Sequence, residues 1–387
     1  MPSVPTTSLD LTAAEVIADP YPFFAAERAR HPVAWHEASQ MWLAFDHASV
    51  SAVQRDRRLG RLWKDKQPAD YLKPFNLLHR NQMMENEPPE HTRLRRPVAR
   101  VFARGHIERL RPRVGELARE LLDEVDPASF DVIGQFAEPL PVLVIAELLG
   151  VPSSTAAELR EWSQAIVRMY EVDPSPAVVD AAVAAAADFG GLIRDLIRER
   201  TVRPREDLLS DLAQTELSED EMVASGVLLL NAGHEASVNV FGNGLTAMLQ
   251  RGLRPGADVA VTVEEMLRFD SALQLFERTA MEPVEVGGIT VEEGQKIAVL
   301  LGSANRDQAV FDDPDELRVD REPNNHVAFG VGVHFCLGAP LARMELFESV
   351  TALFDACPEL DLVGDPVSRG TFVLRGYHSV PVGSKRS

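Results

Sequence analysis

One segment sets the scale of whatever this chain folds into. Ser218-Glu-Asp-Glu221 reads as a capping box, and the apolar helical periodicity that follows runs on to Gln250. A helix of ~32 residues at ~1.5 Å each is ~48 Å long, enough to cross a globular protein. From about Glu90 to Gln250 the pattern is helical throughout, in Ala-rich and Leu-rich stretches punctuated by Pro139, Pro141, Pro152, Pro174, Pro176 and Pro204. A short helix is expected at roughly Tyr21 to Arg30. Strand-like alternation is confined to PVAWHEASQMWLAF (32–45) and VEVGGITVEEGQKIAVLL (284–301), where Gly287-Gly288 falls at a tight turn. A last helix opens near Gly338-Ala339-Pro340, carrying Leu346, Val350, Leu353 and Phe354 as its apolar stripe. There is no Gly/Ser linker and no repeat. The expected fold is mainly α with small peripheral β-sheets, a single domain over residues 1–387.

Composition narrows the function. Hydrophobic residues at 45% allow a full core, and a net charge of −20 argues against nucleic-acid or anionic-membrane partners. Two cysteines, Cys336 and Cys357, imply no disulfide framework. The amino terminus lacks a charged-then-apolar leader. The apolar run Val227 to Leu230 is broken by Asn231, Gly233 and Glu235, too short to span a bilayer. A soluble, cytoplasmic protein is expected.

The most specific chemistry lies in Phe329-Gly-Val-Gly-Val-His-Phe-Cys336-Leu-Gly-Ala-Pro-Leu-Ala-Arg343. Gly330 and Gly332 let the backbone lie close to a flat partner, and Cys336 meets the free N–H groups of a helix start, which favour a thiolate. A thiolate so placed serves as nucleophile, redox thiol or iron ligand. The string resembles the haem-ligand signature of the cytochrome P-450 family at Phe329, Gly330, Gly332, His334, Cys336, Gly338 and Ala342. The resemblance implies haem b with Cys336 as axial ligand, a thiolate that favours O–O cleavage. Cys357, in LFDACPEL, reads as structural.

Further motifs carry the same resemblance. Glu-x-x-Arg begins at Glu27, Glu90, Glu108, Glu116 and Glu265. Only Glu265-Met-Leu-Arg268 is followed by Arg278, Asn305-Arg306-Asp307 and Arg321, the order of the family's core network. Glu265, Arg268 and Arg321 are therefore expected to be structural. His91 and Arg95, four apart on one helix face, resemble the family's propionate-binding pair, with Arg278 and His334 contributing. Asn231-Ala-Gly-His-Glu235-Ala-Ser resembles the oxygen-activating motif Ala-Gly-x-Glu/Asp-Thr-Thr/Ser at Ala232, Gly233 and Glu235. Ala236 stands where the first Thr belongs, leaving Ser237 at the second. Glu235, Ala236 and Ser237 thus mark the catalytic stretch, with His234 as filler. The lost hydroxyl leaves three routes: a substrate hydroxyl or ordered water, peroxide as oxidant, or chemistry other than hydroxylation.

The implied activity is a haem-thiolate monooxygenase using O2 on a small, mostly apolar organic substrate. Electrons would come from a separate ferredoxin and its reductase. Eight arginines and one acid between Arg93 and Arg113 suggest the ferredoxin's docking patch. By family position, the substrate pocket includes Phe75 to Leu78, Ile166 to Tyr170, Leu229, Ala232, Leu273 to Phe276, and Phe372-Val373. A peroxygenase or oxidative-coupling enzyme is the alternative, and a non-enzymatic haem protein the remotest.

Overall fold

The computed structural model describes residues 4–384, apart from Ala103 and Val172 and the side chains of residues 101 and 104–106. The chain packs into two units. One is residues 1–61, 239–339 and 359–387; the other is residues 62–238 and 340–358.

The first unit holds most of the β-structure. A six-stranded sheet runs in the order Thr6–Thr7, Val33–His36, Met41–Ala44, Lys296–Leu300, Leu275–Ala280, Leu59–Gly60. Val33–His36 and Met41–Ala44 pair antiparallel, as their alternation predicts, with Trp35 opposite Trp42. Val284–Val286 and Ile289–Val291 form the second hairpin. Gly287 and Gly288, at φ of 57° and 81°, supply the two left-handed residues that its two-residue turn demands. Val33, Val50, Val53, Ile297 and Val299 pack on one sheet face, while Leu43, Ala298 and Leu300 join Leu9, Leu11 and Phe24 on the other. Phe372 meets Phe24 edge-on at 6.2 Å and belongs to this core.

One buried carboxylate organises the connection toward Cys336. Glu265, on the helix Val259–Phe269, accepts from Arg268 Nε and Nη2 at 2.7 and 2.8 Å. It also accepts from Arg321 Nε at 3.1 Å, Asn324 Nδ2 at 3.1 Å and the Arg318 backbone N–H at 2.9 Å. The two guanidiniums spend their other donors on the carbonyls of Asn305, Asp312, Asp313, Pro314 and Glu316. The sequence expectation for these three residues holds, and burial explains why. The Glu265 and Arg268 side chains are 1% and 0% exposed, against 46% and 44% for Glu90 and Arg93. The same spacing makes a surface pair there and a core strut here.

The second unit is helical. Glu90–Val101, Arg104–Asp123, Pro139–Leu149, Ala156–Val167 and Pro176–Val202 lead to the long helix Glu219–Gln250, whose final residues, from Asn239, lie in the first unit. Its capping box forms as expected: Ser218 N donates to Glu221 Oε2 at 2.8 Å, and Glu221 N to Ser218 Oγ at 3.3 Å. Among the described residues one helix, Pro176–Val202, is long and apolar enough to cross a membrane, a longer apolar segment than Val227 to Leu230. It buries Ala182, Ala186, Phe189, Ile193 and Ile197 along one stripe and exposes Asp180, Asp188, Asp195 and Arg198. That is the pattern of a surface helix on a globular core.

Replacing Glu265 by Ala would strand two buried guanidiniums, and we expect a loss of about 3–5 kcal/mol in denaturant unfolding. Glu108→Ala, removing an exposed partner of Arg111, should change stability by less than about 0.5 kcal/mol. Comparable midpoints for the two variants would contradict the strut.

Candidate functional site

The first unit carries Cys336, His334 and Arg278. The loop before Cys336 is tied to the Glu265 helix: His326 Nε2 is 2.9 Å from Glu264 Oε2, and the His326 Nδ1 accepts from Ala328 N. Val327 N donates to Asn305 Oδ1 at 2.7 Å. Gly330 and Gly332 then turn at φ of 65° and 82°. A Cβ on Gly332 would stand 2.3 Å from the Gln54 carbonyl oxygen, so only glycine fits. Cys336 N donates to Phe329 O at 3.0 Å, closing the loop just before the helix Ala339–Ala356.

The two cysteines sit in different surroundings. Neither is in a disulfide; Cys336 is half-buried and Cys357 only 2% exposed. Burial pushes the Cys357 thiol up, away from the thiolate a metal requires. An added Cβ on Gly338 would stand 4.0 Å from the Cys336 sulfur, an ordinary contact. Such a half-open thiol at a helix start fits an axial ligand to haem. Arg278 is buried, with its guanidinium 4.8 Å from the Phe276 ring, which Arg61 covers at 4.0 Å. Phe276 is thus enclosed by cations.

The second unit carries His91, Arg95, Glu235, Ala236 and Ser237. His91 is 2% exposed and Arg95 half-buried, one turn apart on Glu90–Val101. That placement suits cationic donors held toward an anion away from bulk water. On the long helix, Glu235 and His234 are 2% and 0% exposed, with His234 Nδ1 3.4 Å from Glu235 Oε1. His234 is therefore more than filler: it is buried against the acid. A Cβ on Gly233 would meet only Ile145, at an ordinary 3.7 Å, so the chain's own packing does not require glycine there.

Sequence reasoning missed Glu345. It lies on the inward side of Ala339–Ala356, 3% exposed, and is hydrogen-bonded to Ser237. Burial pushes its carboxyl up to about 8, although the Ser237 bond opposes the shift. An acid between Met344 and Leu346 on a buried stripe was the available signal. A small, water-sized cavity in this unit is lined by Leu78, His79, Gln82, Ile166, Tyr170 and Asn231.

The arginine patch is smaller than its sequence suggests. Arg93 pairs with Glu90 and Glu221, Arg111 with Glu108 and Glu348, and Arg113 with Glu116, Glu120 and Glu147. Among the described residues Arg96 and Arg100, four apart and exposed, form no ion pair; the Arg104 side chain lies outside the described residues.

A family model for cytochrome P450 matches residues 259–357. The chain is 36% identical to the cytochrome P450 monooxygenase PikC of Streptomyces venezuelae, over 99% of this chain and 95% of that protein. It is 35% identical to 6-deoxyerythronolide B hydroxylase of Saccharopolyspora erythraea, over 97% and 99%. Its fold matches P450BioI, solved with an acyl carrier protein bearing hexadec-9Z-enoic acid, at a TM-score of 0.91 and 30% identity, covering 96% of this chain and all of that one.

Because buried Glu345 holds its proton more tightly in the folded protein than an ordinary exposed carboxyl does, wild-type stability should fall as pH rises from 5 to 8. Glu345→Gln cannot ionise, so its urea midpoint should stay flatter, leaving it ahead at pH 8 by a few kcal/mol, on the order of 1.4 per pKa unit. Parallel pH profiles would place the carboxyl in an ordinary environment.

Proposed function

This chain is a member of the cytochrome P450 family, a haem b monooxygenase acting on an organic substrate with O2, and from that premise we propose that Cys336 is the thiolate that holds the haem iron. The observation that carries the assignment is the contrast between the half-open Cys336 thiol on its glycine-shaped loop and the sealed Cys357. Haem b held by a thiolate supplies activation of O2 for insertion of one oxygen atom into the substrate. His91, Arg95, Arg278 and His334 would hold the propionates by charge-assisted hydrogen bonds.

On the long helix Glu235 is the proton-carrying side chain, and Ala236 gives it no neighbouring hydroxyl. Ser237 does not replace that hydroxyl. At two residues' distance it faces ~200° around the axis from Glu235, and it is hydrogen-bonded to Glu345. Ser237 is then a positioning residue, and a water or a substrate hydroxyl beside Glu235 completes the proton path. A peroxygenase remains the second reading, favoured by the same Ala236.

Electrons come from a separate ferredoxin and its reductase in a bacterial cytoplasm. The bacterial relatives support the setting, and the unneutralised pair Arg96 and Arg100 supports a docking point for an acidic partner.

The reduced, carbon-monoxide-treated protein should show the red-shifted Soret band of a thiolate-held haem. Cys336→His should lose it and Cys357→Ser keep it; the opposite pattern would overturn the ligand assignment. Coupling tests the proton path. Ala236→Thr should raise product formed per reductant consumed for substrates lacking a hydroxyl, with less hydrogen peroxide released. High peroxide-driven turnover alongside negligible ferredoxin-driven turnover would instead establish the peroxygenase.

A further inference from the structure

Four consecutive residues ahead of the Cys336 loop are each held by a hydrogen bond to a side chain from elsewhere in the first unit. Asn324 Nδ2 donates to Glu265 Oε2 at 3.1 Å, and His47 Nε2 donates to the Asn325 carbonyl oxygen at 3.0 Å. His326 Nε2 lies 2.9 Å from Glu264 Oε2, and Val327 N donates to Asn305 Oδ1 at 2.7 Å. The Glu264 bond is thus one anchor of four. The other bond of His326 reaches forward. Its Nδ1 accepts from Ala328 N at 3.2 Å, two residues on, the geometry of an Asx-turn closed here by an imidazole. A backbone N–H only donates, so Nδ1 presents a lone pair and the proton of the neutral ring sits on Nε2, facing the Glu264 carboxylate. The side chain is 3% exposed, and its ring lies 6.1 Å from that of Phe329, tilted by 49°.

We propose that His326 is a positioning residue for the Cys336 thiolate, acting through its Nδ1 acceptor rather than through its tie to Glu264; the proposal rests on Cys336 being the axial ligand. The Ala328 N–H belongs to the Val327–Ala328 peptide, whose carbonyl oxygen accepts from Gly330 N at 2.8 Å. That one peptide plane is therefore clamped at both ends, and it cannot tilt without breaking two hydrogen bonds. It opens the turn that contains Phe329, and the Phe329 carbonyl receives the Cys336 N–H at 3.0 Å. The two nitrogens of His326 have separate consequences. Nε2 secures a segment that three other bonds also secure, while Nδ1 sets the direction in which the loop leaves it. A ligand's orientation follows the shell that holds it, so the second bond is the one the thiolate feels.

The test compares three variants of the holoenzyme. His326→Asn keeps a neutral acceptor at the Asx-turn position and is too short to reach Glu264. His326→Gln keeps an N–H donor near the place of Nε2 and lacks the near acceptor, and His326→Leu lacks both. The readout is the rate at which the reduced, carbon-monoxide-bound protein loses its red-shifted Soret band in urea below the unfolding transition, with each unfolding midpoint measured beside it. The Asn variant should stay close to the wild type, and the Gln and Leu variants should lose the band about tenfold faster, the worth of one hydrogen bond. The reverse order, Gln slow and Asn fast, would assign the effect to the Glu264 tie and overturn the proposal. Equal rates for Asn and Gln would overturn it too, as would rates that merely follow the unfolding midpoints. The wild type alone gives a second reading. Nitrogen NMR of isotope-labelled histidine in the carbon-monoxide complex should show His326 protonated at Nε2 and bare at Nδ1. The opposite tautomer, or a doubly protonated ring, overturns the proposal whatever the variants do. These failures with a normal wild-type band leave the ligand assignment standing; a wild type without the band removes that assignment and the proposal with it.

Discussion

The Glu265 carboxylate is the constraint on which the first unit depends. It is buried, and a buried charge survives only when its desolvation is offset by close, well-aligned partners. Two guanidiniums, one amide and one backbone N–H supply them. The guanidiniums are in turn committed to carbonyls between residues 305 and 316, so an otherwise irregular stretch of chain is fixed by side chains rather than by a sheet or helix ladder. From there Asn305 and Glu264 reach residues 326 and 327, and the glycine turns deliver Cys336. The approach to Cys336 is thus held by a polar core as well as by its own loop. An axial ligand needs such support, because metal affinity and orientation follow the shell around the ligand as well as the ligand itself.

Most of this was legible in the sequence, for identifiable reasons. Periodicity and capping chemistry are local, so the Tyr21–Arg30 helix, the capping box at Ser218 and the Gly287-Gly288 hairpin appear where they were read. The Glu265 strut was legible only through the order of later arginines, since five Glu-x-x-Arg repeats look alike and only burial separates them. What could not be read were facts of tertiary pairing. Nothing in Arg93, Arg111 or Arg113 says that distant Glu221, Glu348 and Glu147 neutralise them, so a stripe of eight arginines shrinks on folding. Nor does the sequence say that Phe372 packs on Phe24.

The same limit hid Glu345, and its discovery changes how the long helix is understood. Sequence order puts Glu235, Ala236 and Ser237 side by side and invites the thought that Ser237 makes good the missing hydroxyl. A helix sends consecutive side chains ~100° apart, so neighbours in sequence serve different faces. The Ser237 face meets a buried acid on Ala339–Ala356. The Glu235 face continues instead through Asn231, one turn back, whose amide oxygen is unmatched. Substitution at position 236 therefore does not pass the hydroxyl's work along the chain to the next residue. It passes it to whatever lies against the Asn231–Glu235 face.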